Sequence, residues 1–205
     1  MRRAIVNKLA ITSTPIHELI AARWSPRAFN QAKSVPYDLI RALLEAARWA
    51  PSCFGDEPWR YLLWDKSRDA SAWGKAFNCL AEANQMWVKH APVLLCACAD
   101  SVFRHNGQPN RWAQYDTGAA SENLVLQAHA LGLIAHQMGG FDVEKIRLAF
   151  NIPQQFMPMA MIAVGYQAKE SVLEDPAQLA KEIAPRSRQP LETRFFEGEW
   201  GQGVK

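Results

Sequence analysis

The 205-residue sequence has no apolar run near the roughly 20 residues that a membrane span requires. Cysteine is scarce: Cys53, Cys79, Cys96 and Cys98 are unevenly spaced inside apolar or helical stretches, which argues against a disulfide framework and for a reducing compartment. Neither sign of charge dominates. With 23 Lys and Arg against 20 Asp and Glu the net charge is +3, too mild to expect nucleic acid as a partner. No G-x-G-x-x-G follows a strand pattern and no G-x-x-x-x-G-K-[ST] occurs, so a Rossmann dinucleotide site and a P-loop lack support. Cys96 and Cys98 have no second Cys/His pair at ligand spacing, and metal binding is not expected. The N-terminal MRRAIVNKLAITSTP carries two arginines, but Asn7 and Lys8 break its apolar run. It reads as no signal peptide, and a cytoplasmic protein that does not engage membranes is expected.

What is present is ordinary globular composition, 49% hydrophobic and 21% charged, with eight tryptophans. One domain over 1–205 is expected, with residues 1–13 as an N-terminal arm and 167–205 as a C-terminal extension. Thr14-Pro15 predicts a short helix ending before Pro26. Leu39, Ile40, Leu43, Leu44 and Ala47 form the buried stripe of a second helix starting near Pro36. Strands are predicted over 59–64, 93–99, 134–138 and 159–164, with Cys96 and Cys98 on one side of the second. Helices are predicted over 70–90, 112–131, from a cap at Asp142 to Phe150, and over 176–183, with a loop at 100–111. Alternation of helix and strand implies a mixed α/β domain in which parallel pairing is expected. The tail APRSRQPLETRFFEGEWG cannot bury its own Phe195, Phe196 and Trp200, so it is expected to wrap a neighbour.

Several clusters can carry chemistry, and each has a bland alternative. Arg23 and Arg27 flank Trp24-Ser25-Pro26, and Arg186 and Arg188 flank Ser187. Four guanidiniums with Ser25 suit a phosphate, or else are solvated surface charge. Cys53, in the loop 51–59, is a nucleophile only if one of five histidines serves as its base; otherwise it is an inert thiol. Gly139-Gly140 at a strand end either lets backbone approach a flat ligand or makes a tight turn. The small residues of 115–121 (YDTGAAS) either pack on the chain's own sheet or admit a second subunit.

Taken in order, these segments resemble the nitroreductase family of FMN-dependent oxidoreductases. The blocks are Arg23-Trp-Ser-Pro-Arg27 with Phe29; Ala47-Arg-Trp-Ala-Pro-Ser52 with Pro58-Trp59; Tyr115-Asp-Thr-Gly-Ala119 through Asn123-Leu124 to Gly139-Gly-Phe-Asp142; and Arg186-Ser-Arg188 with Pro190-Leu-Glu192. The resemblance implies an α+β fold with a mainly antiparallel sheet sandwiched by helices. It also implies an intertwined homodimer whose C-terminal extension wraps the partner. By the same resemblance Arg23, Trp24, Ser25 and Arg27 hold the phosphate and polar edge of FMN, and Arg186 and Arg188 close over the phosphate. Pro51, Ser52, Cys53 and Gly55 line the flavin of the other subunit. Asn84 meets the pyrimidine, and Gln137, Met138, Gly139 and Gly140 approach N5. No side chain is expected to act as acid, base or nucleophile. The implied activity is ping-pong reduction of nitroaromatics, quinones or other small acceptors by NADH or NADPH. A metabolite-specific FMN enzyme and a non-catalytic flavin store stand as alternatives. Gly55, Glu57 and Trp87 depart from residues common in the family: Asn, Gln and Lys.

Overall fold

The structure is a computed structural model that describes residues 7–204, so the first six residues of the expected N-terminal arm lie outside the described residues. The helices are α1 (Glu18–Ala22), α2 (Tyr37–Arg48), α3 (Ala70–Phe77), α4 (Glu82–Val88), α5 (Ala113–Ala130), α6 (Val143–Phe150) and α7 (Pro176–Ile183). Between them run strands β1 (Trp59–Asp65), β2 (Val93–Asp100), β3 (Ile134–Met138) and β4 (Phe156–Gly165). The strands form one sheet in the order β1-β2-β4-β3, and every neighbouring pair is antiparallel.

This corrects the expectation of parallel pairing drawn from alternation and agrees with the family resemblance. Alternation misleads because it does not fix strand direction, and the burial of β2 at all eight positions does not fix it either. A strand buried on both faces reads as parallel, because parallel strands are usually covered on both sides. Here helices cover both faces of an antiparallel sheet. Leu94, Cys96 and Cys98 face a layer holding Trp73, Trp87, Ile146 and Met161. Val93, Leu95 and Ala97 face Ile40, Leu43 and Ala47 of α2 and Ala120, Leu124 and Ala128 of α5. Cys96 and Cys98 share a side as the two-residue period requires, their sulfurs 3.8 Å apart.

Two helix assignments differ from the sequence reading. α1 starts after His17, whose Nδ1 accepts the Leu19 N–H, and not at Thr14. The predicted 70–90 helix is interrupted between α3 and α4 because the chain there pairs with the end of β3. The Cys79 carbonyl accepts the Asp142 N–H, the Ala81 N–H donates to the Gly140 carbonyl, and Leu80 bridges Phe141. That interruption places α4 beside Gly139 and Gly140. Local propensity carries no trace of it.

α5 packs its small residues on the chain's own sheet, the first of the two readings. Thr117, Ala120 and Ser121 are buried, and Ser121 Oγ lies 2.9 Å from Tyr61 Oη of β1. Burial pushes the Tyr61 phenol up to about 12, so it stays a neutral hydrogen-bonding group. Tyr115, on another side of α5, is 80% exposed. No described helix is long and apolar enough to cross a membrane.

Candidate functional site

The chain leaves α1 extended at Arg23, and Pro26 disfavours a return to helical geometry at Ser25. That segment meets α7 and the residues after it. Arg23, Trp24, Ser25, Arg27, Arg186 and Arg188 line a single cavity of about 190 Å³. Lys8 and Lys181 line it too, and the sequence reading missed both. Arg186 ties the segments together by donating from Nη1 to the carbonyls of Lys8 (2.7 Å) and Ala21 (2.9 Å). Lys8 Nζ donates to the Lys181 carbonyl at 3.0 Å.

One buried acid serves this cluster. Glu182 of α7, fully buried, accepts the backbone N–H groups of Arg27 (2.8 Å) and Ala28 (3.2 Å). Burial pushes the Glu182 carboxyl up, and those two bonds oppose the shift. Burial also lowers the Arg27 and Arg186 guanidiniums, the latter further through Arg23 and Arg188. Lys8 is lowered chiefly by burial, against the attraction of Glu182. Arg23 is held at 3.6 Å by Glu122 of α5, a partly exposed pair that contributes little. Cations that repel one another around a partly enclosed space make a site for an anion.

The end of β3 carries the second group of predicted residues. Asn84 Nδ2 donates to the Gly140 carbonyl at 2.9 Å. A Cβ on Gly140 would come within 2.7 Å of that same nitrogen, whereas one on Gly139 would meet nothing within 4 Å. Gln137 and both glycines are exposed, while Met138 turns its side chain into the core and leaves only backbone outside.

Two further residues join this strand to the basic cavity. Trp87 is buried, its ring stacked at 6.1 Å on Phe29, 4.6 Å from His136 and under the Arg27 guanidinium at 5.9 Å. His136, unremarked in the sequence, donates from Nδ1 to the Pro26 carbonyl at 2.9 Å and so holds the Ser25–Arg27 segment. Burial is the main cause that lowers this imidazole to about 4 and keeps it neutral. A lone histidine in a strand gives no sequence signal, because its partner lies 110 positions away.

The third group, Pro51, Ser52, Cys53 and Gly55, forms a separate structure. Ser52 Oγ accepts the Glu57 N–H at 3.0 Å, and the Cys53 N–H donates to Asp116 of α5 at 3.0 Å. Asp116 and the Arg23 partner Glu122 stand about 9 Å apart along the helix axis. Gly55 has φ +62°, with Phe54 and Glu57 also left-handed, so this tight loop uses a glycine where one of its turns demands it.

A sequence profile of the nitroreductase family matches residues 20–166. A Methanothermobacter thermautotrophicus protein, named among the NADH dehydrogenase/NAD(P)H nitroreductases, is 31% identical over 80% of this chain and 84% of its own length. A solved structure described as an oxidoreductase containing FMN superimposes with a TM-score of 0.85 at 35% identity, covering 93% of this chain and 95% of that one. A Desulfovibrio desulfuricans structure in complex with FMN has a TM-score of 0.70 at 24% identity over 92% of this chain and 99% of that one, a likeness of fold. The order of the motifs, the antiparallel sheet and these matches agree: the chain belongs to the nitroreductase family.

Proposed function

We propose that this protein is an FMN-dependent oxidoreductase that passes reducing equivalents from NADH or NADPH to small flat acceptors such as nitroaromatics or quinones. The observation that carries the reading is the convergence of Arg23, Ser25, Arg27, Arg186 and Arg188 on one cavity. These residues fit the terminal phosphate of FMN. A dianion with several oxygens is what guanidinium forks and a serine hydroxyl satisfy, and the only described buried acid in contact with the segment is spent on backbone N–H groups.

Trp87 and His136 tie the Pro26–Arg27 segment of that cavity to β3. There the exposed backbone of Gly139 and Gly140, with Asn84 beside it, offers close approach to a planar ring. Trp87 stands where some relatives carry a lysine, and its burial in the core makes it a support for Arg27 rather than a ligand contact. Bound flavin supplies the hydride and electron transfer, and the chain supplies binding, orientation and electrostatics. An open face that serves donor and acceptor in turn predicts ping-pong kinetics.

The same reading includes one domain, a homodimer and a cytoplasmic location. A compact 23.1 kDa monomer exposes about 9,700 Å² by the usual scaling, and this chain exposes 12250 Å². Trp200 of the C-terminal extension is 91% exposed, as a segment that wraps a partner requires. In such a dimer Ser52 and Cys53 face the flavin of the other subunit, consistent with their separation from the basic cavity within one chain. Four free cysteines suit a reducing compartment.

The test is a visible spectrum of the purified protein before and after NADH or NADPH, paired with an FMN titration of Arg23→Ala. Yellow protein bleached by either nicotinamide is expected. The variant should bind FMN roughly 10- to 150-fold more weakly, since a hydrogen bond to a charged group contributes about 1.5–3 kcal/mol. Colourless protein that takes up no added FMN overturns the function, and unchanged affinity in Arg23→Ala overturns the phosphate assignment.

A further inference from the structure

One exposed cluster is absorbed by neither the basic cavity nor the end of β3. Phe54 is 80% exposed although it sits in a tightly knit loop. Its ring meets Phe103 edge-on at 5.8 Å and His105 at 5.4 Å. Phe103, itself buried, lies 5.1 Å from His105 and 5.9 Å from Trp112, which is partly exposed. Phe54 and His105 thus meet over the buried Phe103, and Trp112 touches that same buried ring.

Both loops are pinned from below. Asp56 is buried and accepts the Arg104 N–H at 2.9 Å, with Asn110 Nδ2 at 3.4 Å, so it locks the 51–57 loop to the 101–112 loop. The Cys53 N–H bond to Asp116 locks the former to α5. Phe54 takes φ +56°, a conformation that side chains other than Asn, Asp and Gly seldom adopt, and this aims an apolar ring at solvent.

The rim of the surface is cationic. The Arg111 guanidinium sits 5.0 Å over the Trp112 ring, and Arg104 lies between Phe103 and His105 in the chain. The carboxylate of Asp56 is buried, 3.9 Å from His105 Nδ1, while Glu57 is exposed and favours the charged Arg48 guanidinium. A rigid aromatic surface with cations at its edge and its nearest acid buried is complementary to a flat aromatic ring bearing negative charge.

We propose that Phe54, His105 and Trp112, edged by Arg104 and Arg111, form the platform on which the electron acceptor stacks, and that it selects flat aromatic anions. The inference rests on the oxidoreductase reading above and deepens it by naming an acceptor class. Phe54 adjoins Cys53, which that reading turns toward the partner's flavin, so a molecule on the platform lies at the mouth of the flavin site. Phe54 supplies the stacking face, and Arg111 distinguishes charged from neutral rings.

The test uses oxidised FMN-loaded protein without nicotinamide, so that binding is read apart from turnover. Isothermal titration with 4-nitrobenzoate and with nitrobenzene should show the anion bound at least tenfold tighter. Phe54→Ala should weaken both at least tenfold, with FMN content and melting temperature unchanged, while Phe54→Tyr keeps wild-type affinity. Arg111→Gln should weaken only 4-nitrobenzoate, by about fivefold. Equal affinity for the two probes, or unchanged binding in Phe54→Ala, overturns the platform. So does conversion of a dimer to a monomer by Phe54→Ala in sedimentation, which assigns the patch to a second copy of the chain. Wild-type protein without FMN overturns the oxidoreductase reading itself, whereas FMN-loaded protein that fails these arms overturns the platform alone.

Discussion

In the basic cavity a buried carboxylate, Glu182, accepts two backbone N–H groups and fixes a loop whose cationic side chains point into open space. In the 51–57 loop buried carboxylates do the same work: Asp116 takes the Cys53 N–H and Asp56 the Arg104 N–H. The surfaces they hold differ in kind. The cations of the first repel one another, since Arg23 and Arg188 add to the burial that lowers Arg186, and an anion between them would relieve that repulsion. The rings of the second, Phe54 against Phe103 and His105, attract one another edge to face and need no added charge. The proposed phosphate site and the proposed acceptor platform thus share one way of fixing backbone while placing opposite chemistry on it.

The largest expected effect that breaks this comparison is Glu182→Leu. It leaves the Arg27 and Ala28 N–H groups without their acceptor, at a cost of about 2–5 kcal/mol of stability. It should also weaken FMN at least tenfold while leaving the aromatic platform in place. Urea unfolding and FMN titration read the two effects, and unchanged stability would show that the loop is held otherwise.

Next in size is the acid response of His136, which holds the Pro26 carbonyl. His136 is neutral in the fold, with its imidazole lowered to about 4 from an ordinary 6.5. Between those values the unfolded chain binds the extra proton. The contribution of the neutral ring is therefore whole above pH 6.5 and falls as pH is lowered toward 4, by up to roughly 3 kcal/mol. Melting temperature followed from pH 7 to pH 4 should drop more steeply for the wild type than for His136→Phe. Parallel curves would mean the ring protonates without cost.

The smallest effect sharpens the electrostatic half. Glu122→Gln frees Arg23 from a partly exposed ion pair and should change stability by less than about 1 kcal/mol. FMN affinity should rise by up to about fivefold, and weaker binding in the titration would show that Glu122 orients Arg23 for the phosphate.

Much of the architecture was legible from pattern. Ile134–Met138 and Pro176–Ile183 fall where periodicity, Gly139 and Pro176 place them, and the Asp142 cap is seated on Lys145 N as its spacing predicts. Arg23, Ser25, Arg27, Arg186 and Arg188 were legible as a possible phosphate set beside the alternative of solvated charge, and the family resemblance chose between the two. By composition alone they equal any solvated arginines. Lys8, Lys181, Glu182 and His136 were not legible, because a charged or aromatic residue acquires a role from partners that loops and helices bring to it from more than a hundred positions away.

The sequence by itself determined the positions of the four strands, the shared side of Cys96 and Cys98 and the presence of paired arginines, since these depend on period, caps and local sterics. Strand direction, the break between α3 and α4, the acid that holds the basic loop and the outward turn of Phe54 were decided by the tertiary structure. Each depends on a hydrogen bond or packing face supplied by a distant segment, and local preference carries no information about which segment that will be.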